Sequence, residues 1–136
     1  SNVLAAIGVG QMEVIEDRIK RTREINQIYK KELSEYFYSF QEERETDRSN
    51  MWLTCALLKG EDKPEDLISH LEKDNIEARR IWKPMHEQPV MQGYRKYING
   101  NSSLLFLQGI CLPSGSDLTN KDIKRIIKSI KTFFNK

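Results

Sequence analysis

Cysteine, histidine and proline are all scarce in this chain, at two, two and four among 136 residues. Two cysteines without a CxxC pair or paired histidines exclude a zinc site of recognisable spacing. Both of them, Cys55 and Cys111, fall in apolar, strand-like runs. That setting suits two reduced, buried thiols in a cytoplasmic protein, with a disulfide between neighbouring strands as the alternative. An excess of one charge is also missing. Lys and Arg number 22 against 20 Asp and Glu, a net charge of +2, which is too balanced for a dedicated nucleic-acid binder. The uncharged run Ser1–Met12 falls short of the roughly 20 apolar residues that span a bilayer. It also lacks the basic leader and cleavage pattern of a signal peptide. The expectation is a cytoplasmic protein with no membrane and no nucleic-acid partner. Walker, GxGxxG, GxSxG and HExxH motifs are absent too, so no self-sufficient catalytic, cofactor or metal set is expected in this chain.

What is present is a composition with 31% charged and 38% hydrophobic residues, suited to one soluble globular domain over residues 1–136. Residues 2 to about 36 read as one long helix in two halves. The first half, Asn2–Met12, is apolar all round, which implies burial on more than one side. Gly8 and Gly10 each cost about 1 kcal/mol against Ala in a helix, so close packing against that half is expected. Little mass remains in the chain to supply it, so the segment is expected to pack on protein outside these residues. The second half is highly charged, with an apolar stripe of Ile19, Ile25, Ile28, Tyr29 and Leu33 at near-helical spacing.

Strands are expected at Tyr36–Gln41 and Met51–Leu58, with a charged hairpin-like stretch between them. Pro64, Glu65 and Asp66 open a helix whose apolar face is Leu67, Ile68 and Leu71 and which stops near Asn75. Ile76–Trp82 reads as a strand, Pro89 to Tyr97 or Ile98 as a short helix, and Leu104–Leu112 as a long apolar strand. Thr119 and Asp122 resemble a capping box ahead of Ile123, Ile126, Ile127, Ile130, Phe133 and Phe134. The order α-β-β-α-β-α-β-α predicts an α+β fold with a long N-terminal helix and a small, mostly antiparallel sheet covered by helices.

One stretch concentrates chemistry. Glu77–His86 places Arg79, Arg80, Trp82, Lys83 and His86 within ten residues, with Pro84 preventing a helix there. Guanidinium forks, an indole and an imidazole so close together suit a phosphorylated or aromatic ligand. The plainer reading is a strand end with solvated cations beside one buried Trp. Other charged groups read as solvated surface. The cations Arg18, Lys20, Arg21, Arg23, Lys30 and Lys31 alternate with acids, as on an exposed face with i,i+4 pairs. His70 reads as a partly exposed helix residue, and Ser114 has no base near it in sequence.

Three ordered blocks carry a resemblance: residues 1–33, residues 76–89 (IEARRIWKPMHEQP) and residues 109–127 (GICLPSGSDLTNKDIKRII). Together they resemble the C-terminal part of the DegT/DnrJ/StrS sugar aminotransferases, pyridoxal-phosphate enzymes that aminate keto-sugars attached to nucleotides. Arg48–Leu53 and Tyr97–Asn101 look closest to enzymes acting on a UDP-linked 4-keto-6-deoxy-N-acetylhexosamine. Those enzymes feed bacillosamine-type sugars into bacterial pilin or other glycoprotein glycosylation, or into polysaccharide biosynthesis.

The resemblance implies the small domain of a fold-type I pyridoxal 5'-phosphate enzyme, with residues 1–35 packing on a large N-terminal domain. That large domain holds the family's Schiff-base lysine, the acid facing the pyridine nitrogen and most phosphate ligands. The family's Gly-Asn-Arg segment, which reaches the neighbouring subunit's cofactor, would lie just before Ser1. The parent is then expected to be a homodimeric transaminase with glutamate as donor, and this chain alone to be inactive and free of cofactor. By position, Arg79 and Lys83 would meet phosphate charge, Trp82 would form a stacking wall, and His86 would hydrogen-bond a sugar or phosphate oxygen. Many relatives have proline where Arg80 stands, so the resemblance gives Arg80 no role. Cys111 to Ser114 would position the last helix. Outside the resemblance, the alternative is a stand-alone α+β interaction or regulatory module using the basic helix.

Overall fold

The structure, a computed structural model, describes residues 1–135. Its centre is a four-stranded antiparallel sheet: β1 (Phe37–Phe40), β2 (Thr54–Leu58), β3 (Arg79–Arg80) and β4 (Gly109–Leu112), in the order β1-β2-β4-β3. Alternation along β2 sends Thr54, Ala56 and Leu58 into the core and leaves Cys55 and Leu57 half-buried on the other face. Three helices cover the core face: α2 (Ile15–Leu33), α3 (Pro64–Lys73) and α5 (Asn120–Phe134). A shorter helix, α4 (Asn101–Gln108), contacts β2 and β4, and its Leu105 lies over the other face with Cys55, Leu57 and Ile81. The α+β architecture expected from the sequence is therefore present.

The core is built from the periodicities of the sequence. Ile25, Tyr29 and Leu33 of α2, Leu67 and Leu71 of α3, and Ile123, Ile126 and Ile130 of α5 are all buried. The α5 capping box is formed, with the Asp122 amide donating to Thr119 Oγ1 and the Thr119 amide donating to Asp122. Asn75, in the left-handed region at φ 53°, follows α3 and turns the chain toward β3.

Four expectations need correction. The single N-terminal helix is two: α1 (Asn2–Glu13) and α2, separated by Val14 at φ −114°, ψ 3°. α1 has no buried residue, and a Cβ at Gly8 or Gly10 would meet nothing within 4 Å. With no residue of α1 buried, no core contact holds the two helices in line. The expected strand 76–82 shortens to the two residues of β3. The expected helix from Pro89 is a single 3₁₀ turn, Pro89–Met91, ended by extended backbone at Gln92 (φ −66°, ψ 135°) and followed by Gly93 at φ 89°. Finally, the expected strand 104–112 divides into α4 and β4 at Gly109. Short leucine-rich runs satisfy either period, and Gly100 at φ 86° sets the chain into the helix. A Cβ on Gly109 would collide with the Ile81 side chain and the Leu105 carbonyl, so this close crossing of α4, β4 and the chain after β3 requires glycine.

Candidate functional site

Arg79 and Arg80, adjacent in sequence, have opposite fates because a strand alternates its side chains. Arg79 is exposed, and its Nε donates to Glu77 Oε1 at 2.7 Å. It stands opposite Cys111 of β4 and lines a cleft of about 380 Å³ with Pro113, Ser114, Asp117 and Arg125. Arg80 is half-buried. It pairs with Glu65 of α3, donates from Nη2 to the Phe106 carbonyl at 2.6 Å, and stacks its guanidinium 3.9 Å from the Phe106 ring centroid. Its charge ties α3, β3 and α4 together, which makes it a structural clamp.

Trp82 does not behave as a buried strand-end residue. It is 65% exposed, and its ring lies 6.2 Å from that of Trp52, itself 62% exposed, at an interplanar angle of 38°. Two exposed indoles in contact present an apolar, electron-rich surface that can stack on a flat or sugar ring. The segment carrying Trp52 is anchored from behind. Arg23 Nη1 donates to the Ser49 carbonyl at 2.5 Å and pairs with Glu43, while Thr22 Oγ1 donates to the Asn50 carbonyl at 2.5 Å. Met51 is buried at φ 48°, and the Trp52 amide donates to Asn50 Oδ1 at 3.2 Å. The Arg23 guanidinium, together with the Ser49 amide, holds the Glu43 carboxyl down at about 2.

Part of the basic stretch on α2 is thus structural rather than a solvated face. Arg21 adds to this, donating to the Leu118 carbonyl at 2.7 Å and to Asn120 Oδ1 at 3.0 Å. Trp52 had no individual role in the sequence reading. The one local signal was Asn50, a residue suited to turning the chain just before the indole.

Lys83 follows Trp82, is exposed, and has no ion pair among the described residues. His86 sits on a 3₁₀ turn, Met85–Glu87, and faces α4. Its Nε2 is 3.2 Å from Ser103 Oγ, which donates to Glu87 Oε1 at 2.5 Å. His86 lines a separate hollow of about 250 Å³ with Met91, Tyr94 and Tyr97. The structure therefore gathers Trp82 with Trp52, keeps Arg79 at the neighbouring cleft, and turns His86 toward another hollow. The other histidine, His70, is half-buried, with Nε2 3.0 Å from the Ser129 carbonyl. Ser114 is buried, accepting from the Thr54 amide and donating to the Leu112 carbonyl, each at 2.8 Å. No group of three or more potential metal ligands occurs among the described residues, and no helix there is long and apolar enough to cross a membrane.

Comparison with known proteins brings a family to this geometry. The sequence pattern of the DegT/DnrJ/EryC1/StrS aminotransferase family matches residues 1–131. The chain is 36% identical over 140 residues to EpsN of Bacillus subtilis (strain 168), by name a pyridoxal phosphate-dependent aminotransferase, covering 99% of the chain and 36% of that protein. It is 32% identical over 136 residues to the GDP-perosamine synthase of Escherichia coli O157:H7, again covering 99% of the chain and 36% of the relative. The chain thus spans little more than a third of the length of these curated relatives. Its fold matches the crystal structure of a DegT DnrJ EryC1 StrS aminotransferase from Brucella abortus, with a TM-score of 0.82 at 21% identity, over 94% of the chain and 34% of that structure.

Proposed function

The chain belongs to the DegT/DnrJ/EryC1/StrS aminotransferase family, and on that premise we propose that it is the small domain of a pyridoxal phosphate-dependent enzyme that aminates a nucleotide-linked keto-sugar. The observation that carries the reading is the exposed Trp52–Trp82 pair, flanked along the chain by Arg79 and Lys83. The indoles would stack on a base or sugar ring, and the two cations would meet diphosphate charge. His86 would reach a sugar or phosphate oxygen from its own turn.

The residues of this chain do not themselves suit the cofactor. A Schiff-base lysine works from a desolvated pocket, whereas every described lysine is exposed or half-buried. The proposal therefore places the cofactor outside this chain, on a larger domain against which α1 would pack, and it makes the isolated chain inactive. The whole enzyme is proposed to be a cytoplasmic homodimer that takes glutamate as amino donor and a UDP-linked 4-keto-6-deoxy-N-acetylhexosamine as acceptor. Bacterial glycoprotein or polysaccharide assembly would consume the product. A GDP-linked sugar is the second reading, favoured by the relatives named GDP-perosamine synthase.

The test is an assay of the full-length protein with pyridoxal phosphate, glutamate, and UDP- or GDP-linked 4-keto-6-deoxy sugars. Conversion of the cofactor to its amino form by glutamate, followed by turnover of the UDP sugar, is expected. Turnover of the GDP sugar alone selects the second reading, and absence of any cofactor spectrum overturns both. Arg79→Ala and Trp82→Ala are expected to lower kcat/KM about tenfold or more through lost phosphate and stacking contacts, with the cofactor spectrum unchanged. Wild-type kinetics in both variants would refute the site assignment.

A further inference from the structure

Two thiols that the proposed reaction does not use lie side by side. Cys55 of β2 and Cys111 of β4 are directly opposed, and their Sγ atoms are 3.6 Å apart. Their strand neighbours Thr54, Ala56, Ile110 and Leu112 are buried in the core, so alternation puts both sulfurs on the opposite face of the sheet, where Cys55 is half-buried and Cys111 is buried. A row crosses that face: Gln41, whose amide bonds the Cys55 carbonyl, then Cys55, Cys111 and Arg79. Cys55 lines an apolar hollow of about 350 Å³ with Phe40, Leu57, Ile81 and Leu105, and Cys111 lines the cleft beside Arg79. Both spaces exceed the volume of a water-sized oxidant, about 30 Å³.

We propose that Cys55 and Cys111 form a redox-closable dithiol, which a peroxide-class oxidant converts into a disulfide joining β2 to β4 beside Arg79. The inference does not depend on the aminotransferase reading.

The sulfurs must close to about 2.05 Å, and directly opposed strand residues hold their Cβ atoms only slightly farther apart than a disulfide requires. A small rotation about each Cα–Cβ bond and a local approach of the strands supplies the rest. The environment also divides the labour between the thiols. The contact with Cys55 pulls the Cys111 thiol below its ordinary range against the opposing effect of its own burial, with the Arg79 charge across β3 adding to the pull, while the same contact and burial push Cys55 up. The Cys111 thiolate therefore attacks one peroxide oxygen, the O–O bond breaks, and a sulfenic acid forms as hydroxide leaves and takes a proton to become water. The Cys55 sulfur then attacks Cys111 Sγ. The S–S bond forms, the S–O bond breaks, and the departing hydroxyl takes the Cys55 proton as a second water. Two thiols lose two electrons in all, and one peroxide becomes two waters.

The test treats the folded chain with equimolar hydrogen peroxide in the presence of dimedone, followed by intact mass and non-reducing peptide mapping. The expected product is lighter by two hydrogens, links Cys55 to Cys111, accumulates no dimedone adduct and reverts with dithiothreitol. In Cys55→Ser, the dimedone adduct should instead accumulate at Cys111. A stable adduct in the unsubstituted chain, dimers linked through either cysteine, over-oxidation of one thiol with the other intact, or thiols that react only in denaturant would each overturn the proposal. A second measurement needs no variant: one equivalent of phenylarsine oxide should protect both thiols from alkylation in the native chain. Binding that leaves either thiol free to alkylate would overturn it equally.

Discussion

Arg80 holds three contacts that would each be lost differently in a substitution: the ion pair to Glu65, the hydrogen bond to the Phe106 carbonyl, and the ring stacking on Phe106. Lysine keeps the charge but loses the planar fork. Arg80→Lys is therefore expected to lower stability by about 1.5–3 kcal/mol, the range of a charge-assisted hydrogen bond, read as a lower urea midpoint at unchanged slope. Arg79→Lys, one residue away and exposed, should move that midpoint by less than about 0.5 kcal/mol. The two arginines look alike in the sequence. What separates them is strand register, set by pairing with Cys111 and Ile110 on a strand far along the chain, and a local pattern does not encode that pairing.

Glu43 gives a residue-scale prediction with a definite sign. Its ordinary pKa of 4.5 falls to about 2 in the fold, chiefly through Arg23 and then the Ser49 amide. A depressed carboxyl stabilises the folded state fully above pH 4.5, and that contribution disappears as pH falls toward 2. Glu43→Gln should therefore be less stable than the unsubstituted chain at pH 6, with the gap narrowing steadily below pH 4.5 in denaturant titrations. A gap that stays constant across that window would show that Glu43 acts through packing instead.

At the scale of elements, what the sequence announced depended on whether the signal was local. The α5 capping box and the 3.6-residue periods of α2, α3 and α5 are local, and all of them formed. The α4–β4 boundary was not legible, because its cause is the crossing of Ile81 and Leu105 at Gly109. Gly109→Ala should accordingly destabilise by about 1–3 kcal/mol through overpacking, although its backbone at φ −91°, ψ 137° suits any residue. The same reasoning applies to Ser114, which joins the start of β2 to the end of β4. Ser114→Ala leaves the Thr54 amide buried without its acceptor and should cost about 1–3 kcal/mol. Amide exchange at Thr54 should accelerate in that variant, a readout that simple loss of volume would not move. The candidate site divides along the same line. The cluster of Arg79, Trp82, Lys83 and His86 was visible from spacing, whereas the pairing of Trp82 with Trp52 and the turning of His86 toward Ser103 came from tertiary contacts.

For the whole molecule, the question is which parts form one cooperative unit. α1 exposes Val3, Leu4, Ile7, Val9 and Met12, contributes nothing buried, and makes its main contact with the rest of the fold at α2, the helix that follows it. The core is closed without it, since Ile25, Tyr29 and Leu33 of α2 begin the packing beyond the break at Val14. Removing residues 1–13 should therefore leave the urea midpoint and slope of the remaining chain unchanged within about 0.5 kcal/mol. An isolated helix of this length is marginal in water, so its amides should exchange as fast as unstructured ones while those of α5 stay protected. In the proposed full-length enzyme the outcome should reverse. There α1 would be buried against the larger domain, its amides should become protected, and Leu4→Glu or Ile7→Glu should destabilise the enzyme while leaving the isolated chain unaffected. If both substitutions are silent in the full-length protein, α1 is not a domain contact. If the truncated chain instead loses its cooperative transition, α1 belongs to the core despite its exposure.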